Sequence, residues 1–200
     1  MRLRILLCIL ALCATSTVAA QDERNFRIAL QMGVTGGGDT LASVRFNNGE
    51  TEKIKAGGLV HLAAGVLWQP SQLPLGIQAT AGYHVDSVTA RNGELRFSRY
   101  PIEVLALFTG VPNLRLGTGV RFVNSPSLKI DIDGSPSTNV DFKNTIGVVA
   151  EVGYRFASRA WVALRGTFEE YETKSVNGAS VGTTPKTSGD SIGVYVGFAF

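Results

Sequence analysis

Few side chains in this 200-residue chain are of types that do chemistry, and most are badly spaced for it. The only histidines are His61 and His84. The run His84-Val85-Asp86-Ser87 holds a base, an acid and a hydroxyl nucleophile. Neighbours on a strand point to opposite faces, so Ser87 is turned away from His84 and Asp86, and an interior polar pair or a loop-edge position is the better account. Two histidines so far apart in sequence make a weak metal site. Gly36-Gly37-Gly38-Asp39 lacks the Lys-Ser/Thr continuation and the helix of a phosphate loop. Asp131, Asp133 and Asp141 lack the spacing and the closing Glu of a calcium loop. No catalytic, cofactor-binding or metal-ligating residue is assigned, no cofactor is implied, and the chain is not expected to be an enzyme.

What remains is a set of mixed charges in the middle of apolar stretches: Arg99, Arg115, Arg121, Arg155 and Arg165 with Glu103, Glu151 and Glu169. Charges buried from water need partners, so this spacing predicts an interior network of Arg–carboxylate contacts. His61 falls on the same kind of face and belongs with a polar interior.

The segments that must position these residues alternate with a period of two, as strands with two different surroundings do. They run from Phe26 to Val34, Val60 to Trp68, Leu75 to Asp86, Arg99 to Phe108, Leu114 to Phe122, Ile146 to Phe156, Val162 to Glu169 and Ser191 to Phe200. In each, bulky apolar residues share one face and Gly, Ala, polar and charged residues share the other. The fourth is the least regular, and Pro101, which has no amide to donate, suggests a bulge there. The links alternate in length. Gly36 to Gly58, Ser87 to Leu95, Asn124 to Lys143 and Thr173 to Asp190 are long, whereas 69–74, 109–113 and 157–159 are short.

Small residues crowd the polar face, as the interior of a narrow barrel requires. Aromatic residues collect at both ends of the apolar face: Phe26, Trp68, Phe108, Phe156 and Phe200 at one, Tyr83, Tyr100, Phe122 and Phe168 at the other. Two aromatic belts around an aliphatic band suit a barrel in lipid. Arg2 and Arg4 precede an apolar run from Ile5 to Leu12 and a small-residue stretch ending at Ala20, the layout of a secretory signal peptide. Residues 1–20 are therefore expected to be cleaved, leaving one domain over 21–200. Both cysteines, Cys8 and Cys13, fall in the leader. So do two of the 19 basic residues, which leaves 17 against 16 acidic ones and no basic stripe for nucleic acid.

The fold expected is all-β, an eight-stranded antiparallel up-and-down transmembrane β-barrel preceded by a cleaved signal peptide. The last strand, with Val194, Val196, Phe198 and Phe200 on one face, resembles the C-terminal assembly signal of bacterial outer-membrane barrels. With it, the whole of 21–200 resembles the small eight-stranded outer-membrane barrels of Gram-negative bacteria, the OmpA-like, OmpX-like and OmpW-like group. That resemblance implies the outer membrane, with both ends of the mature chain in the periplasm. It also implies contact with lipid and lipopolysaccharide, handling by periplasmic chaperones and the barrel assembly machinery, and a monomer. The barrel-type lipid A deacylases of similar size carry a His and a Ser two apart on a strand. Here His61 is followed at that spacing by Ala63 and His84 by Asp86, so that motif is absent. The function expected is a structural, envelope-integrity or surface-interaction role with the lumen plugged by Arg–Glu pairs. The alternative is a narrow porin-like conduit for small or hydrophobic solutes, and a lipid A-modifying enzyme comes third.

Overall fold

The structure is a computed structural model that describes residues 25–45, 51–90, 93–156 and 159–200; the expected signal peptide lies outside them. Eight strands form the barrel: β1 (Phe26–Gly37), β2 (Leu59–Trp68), β3 (Leu75–Ala90), β4 (Gly93–Phe108), β5 (Leu114–Ile132), β6 (Thr145–Arg155), β7 (Ala160–Phe168) and β8 (Ser191–Ala199). Each pairs antiparallel with its sequence neighbours, and β8 pairs with β1 from Ala29↔Ala199 to Gly37↔Ser191, which closes the cylinder. The closing contact continues past the strands: the Ile28 N–H donates to the Phe200 carbonyl at 2.9 Å, and the Phe200 N–H donates to the Ile28 carbonyl at 3.0 Å. Closure leaves no barrel edge to aggregate.

The face that points outward is the apolar one. Ile28, Leu30, Val34, Leu62, Val66, Ile102, Val104, Val148, Val152, Ile192 and Val194 are all exposed. In water such a continuous apolar wall would drive association, so its natural surround is lipid. Phe26 lies 6.4 Å from Trp68 at the end carrying the short links, and Tyr83 lies 5.4 Å from Tyr100 toward the other.

Pro101 itself is not bulged, although the β3–β4 pairing lapses across Tyr100 and Pro101, between Ala81↔Ile102 and His84↔Arg99. The irregularity sits nearby, where β4–β5 pairing steps from Tyr100↔Asn124 to Ser98↔Ser127. The extra residue therefore belongs to β5, beside Ser125 with its positive φ of 47°.

The described parts of the long connections are more ordered than their Gly, Asn and Ser content implies. β3, β4 and β5 run on well past the band, Thr40–Arg45 pairs with Thr51–Lys55, and Thr138–Phe142 adds to the extended β5 and carries Thr173–Val176 in turn. The physical reason is a second core. Ile54, Ala56, Leu95, Phe97, Val123, Leu128, Phe142 and Tyr171 come from the connections and the strand ends that lead into them, and bury one another above the lumen. Phe97, Phe142 and Tyr171 meet edge to face, with centroids 5.5 to 6.0 Å apart. Aromatic pairs of this kind add roughly 0.5–1.5 kcal/mol each beyond area burial.

Candidate functional site: the filled lumen

The inward face stacks three layers. At the end of the short links, Ala29, Leu67, Leu105, Leu107, Val149, Trp161, Ala163 and Ala199 form an apolar floor. The period of two places them there: on β4, Leu105 and Leu107 follow Glu103 along the same inward row.

Above the floor lie the charges. Arg115 reaches Glu151 at 2.7 Å, and Arg165 reaches Glu151 at 2.6 Å and Glu103 at 2.8 Å. Arg121 reaches Glu103 at 2.9 Å and Glu169 at 3.0 Å. Each glutamate side chain is almost fully buried, and Glu103 and Glu151 are each shared by two guanidinium groups, so the members form one network. Gln31 and Gln78 complete it: Gln78 donates to Gln31 at 3.0 Å and accepts from Arg115 at 2.7 Å. Aromatic faces flank the cations, with Arg165 4.1 Å from the Tyr195 ring centroid and Arg115 4.4 Å from that of Trp161.

Six of the eight residues expected in the network therefore meet in it, with Glu169 at its upper edge. Two do not. Arg99 is wholly buried but takes neutral partners: the Ala56 carbonyl, the Gly58 carbonyl at 3.0 Å and His84 Nδ1 at 2.9 Å. The extension of β4 beyond the band carries it above the glutamates and into the second core, against Phe97 and Tyr171. Arg155 is half-buried beside the floor, and its Nε has no hydrogen-bond partner among the described residues. It precedes the short 157–159 link, below the carboxylate layer.

The third layer is built on the histidines. The His61 and His84 rings stack with centroids 5.1 Å apart, and His61 Nδ1 lies 3.2 Å from the Tyr195 hydroxyl. Arg121 donates to His84 Nδ1 at 2.8 Å, and the Arg99 guanidinium lies 2.9 Å from Nδ1 and 3.1 Å from Nε2; with Arg121 on Nδ1, that nitrogen is assigned as the acceptor and the ring proton is placed on Nε2. From Nε2 it is donated to Thr35 Oγ1 at 2.9 Å, and the threonine donates onward to the Gly57 carbonyl at 2.8 Å. His84 and Asp86 are buried and Ser87 is exposed, which separates the hydroxyl from the other two as the alternation requires. In the roof, the Tyr171 hydroxyl donates to Glu169 at 2.5 Å, and burial pushes its phenol far above the ordinary range, which keeps the donor proton in place.

Gln31, Gln78, Thr35, Tyr195 and Trp161 are members that charge pattern alone does not reveal. Their signal was available in the inward row of each strand, where a long polar or aromatic side chain among glycines has only the lumen to fill.

Residues 5–200 match the outer membrane protein beta-barrel domain family. The chain belongs to this family. Its place is therefore the outer membrane, where the exposed apolar wall meets lipid and lipopolysaccharide. Among solved structures it is similar to Neisserial surface protein A, with 12% identity over 88% of this chain and 98% of that one, at a TM-score of 0.51. The outer membrane protein AlkL aligns over 93% of this chain and 94% of that one, with 11% identity and a TM-score of 0.47. OprG from Pseudomonas aeruginosa aligns over 89% and 97%, with 17% identity and a TM-score of 0.43. The likeness to the Neisserial protein is one of fold. No curated protein matches the sequence.

Proposed function

We infer that this family member is a sealed outer-membrane barrel whose work is structural or is done through its ordered outer surface, rather than by passage through the lumen. The observation that carries this reading is the continuity of the filling. An apolar floor, a charge layer with shared carboxylates and an aromatic roof succeed one another along the axis. Eight strands leave an interior just wide enough for such side chains. The plug also fixes register, because a one-residue slip of any strand turns its charges into lipid. We assign the end with the short links to the periplasm and the second core to the outside. Val194, Val196, Phe198 and Phe200 serve as the assembly signal, and the working form is a monomer.

Single-channel recording in planar bilayers tests the reading. The purified protein is expected to give no steady openings, and Glu103→Gln and Arg115→Gln should leave it closed, since the floor and the roof stay in place. Steady openings of the wild type that vanish in either variant would establish a narrow conduit instead. Unchanged lipid A mass spectra on expression are expected alongside.

A further inference from the structure

The three guanidinium groups of the network are matched by three glutamates, and Arg99 is the fully buried arginine that makes no ion pair with a carboxylate among the described residues, Glu169 acting on it only from farther off. It is fully buried at the mouth of the lumen, where an unpaired charge is costly. What solvates it is a strap of main chain, residues 55–58, laid across the opening. Arg99 donates to the carbonyls of Ala56 and Gly58, and Thr35 donates to the carbonyl of Gly57. Three successive peptide oxygens thus converge on one guanidinium and one hydroxyl, with His84 Nδ1 and the Tyr171 and Phe97 rings around them. Arg99 Nε is buried and has no acceptor among the described residues. The strap has no side chain of its own in this nest: a Cβ at Gly57 would lie 2.7 Å from the Asp190 carbonyl oxygen and one at Gly58 2.6 Å from Asp86 Oδ2. Its remaining ties are main-chain bonds, from the Ala56 amide to the Asp39 carbonyl at 2.9 Å and from the Gly57 amide to the Gly37 carbonyl at 3.2 Å, one bond to the buried carboxylate of Asp86, and apolar contacts. Asp86 Oδ2 accepts from the Lys55 amide at 3.0 Å, and Ile54 and Ala56 enter the second core.

We propose that the mouth of this barrel is an oxyanion-binding site, for a carboxylate or phosphate group of a soluble ligand, held closed by the carbonyl oxygens of residues 56–58 standing in for the anion. A planar or tetrahedral oxyanion satisfies the same donors and adds the charge that the peptide oxygens lack, which is the stronger form of the contact. The site faces the lumen, so headgroups along the outer wall of the barrel do not reach it, and the ligand arrives from the aqueous side. The proposal concerns binding at the mouth and does not require a conducting lumen. Because the strap competes with the ligand, the apparent affinity is the intrinsic one reduced by the fraction of molecules with the strap released. Loosening the strap must therefore tighten anion binding.

The test is calorimetric titration of the folded, detergent-solubilised protein with inorganic phosphate and with acetate, folding being checked by the heat-dependent gel shift. Ile54→Ala removes a strap anchor without changing charge and is expected to bind at least one of the two anions about tenfold or more tighter than the wild type. Lys55→Pro, which deletes the amide held by Asp86, should act in the same direction even though it removes a positive charge. Adding Arg99→Gln to Ile54→Ala should abolish the gain. Should that double variant not fold, Ile54→Ala with Thr35→Val is expected to lose severalfold in affinity. Equal affinities in the wild type and both strap variants, or a gain that persists without the Arg99 guanidinium and the Thr35 hydroxyl, overturns the proposal.

Discussion

Glu103 shows how much one side chain carries in a lumen of this kind. It lies 2.9 Å from Arg121 and 2.8 Å from Arg165, and Gln31 approaches it at 3.4 Å. Removing one partner of a buried ion pair costs roughly 3–5 kcal/mol, because the charge left behind has lost its compensation. Glu103→Gln is therefore expected to lower the unfolding free energy in micelles, read from the urea transition, by an amount in that range. Arg165→Met with Glu103→Leu, which removes both partners, should be milder than the single change; a double variant as unstable as the sum of its singles would show that the two side chains are not coupled. Arg99 and Glu169 mark the limit of reading at this scale. Both are charged residues on inward rows, and nothing in their sequence neighbourhood tells that one meets peptide carbonyls and the other an arginine and a tyrosine.

At the scale of the strand, two glycines on the inward rows are places where a neighbour's aromatic ring lies against the backbone. A Cβ at Gly33 would lie 2.6 Å from Tyr195 Cδ1, and Trp161 covers Gly197 in the same way. Tyr195 in turn backs Arg165 and meets His61, so its position is fixed from three sides. Gly33→Val should displace the ring and cost about 1–3 kcal/mol as overpacking does, seen as a lower temperature for the heat-dependent gel shift. Phe200→Ala has a different expected effect. The bonds between Phe200 and Ile28 are main-chain bonds and survive the change, so the folded fraction should keep its gel shift while the amount reaching the outer membrane falls. Wild-type levels of Phe200→Ala in the outer membrane would remove its role as an assembly signal. The strands were legible because a period of two has only one reading over eight to ten residues. The connections were not, because Leu95, Phe97, Leu128 and Phe142 lie in segments whose Gly, Asn and Ser content signals turns and whose apolar alternation is short.

For the whole molecule, the two ends of the barrel differ in kind. One closes with a thin apolar floor, and the other with a core assembled from the connections and the strand ends beside them that holds the strap over the mouth. This outer core should make the surface rigid: hydrogen exchange is expected to protect the amides of 95–97 and 128–130 nearly as well as those of the membrane band, and fast exchange there would show that the connections are not held as one body. The sequence by itself determined that the chain is a closed lipid-facing barrel of eight strands, because alternation, small inward residues, aromatic belts and sorted link lengths are local properties that repeat along the chain. It also led to the expectation of an inward Arg–carboxylate network, which six of the eight expected residues form and Arg99 and Arg155 do not. Only the tertiary structure decided which charge meets which, that Arg99 is left to main-chain carbonyls and His84, and that separate connections and strand ends share one core. Those facts depend on residues brought together by strand stagger and closure around the cylinder, over sequence separations as large as the 134 between Gln31 and Arg165.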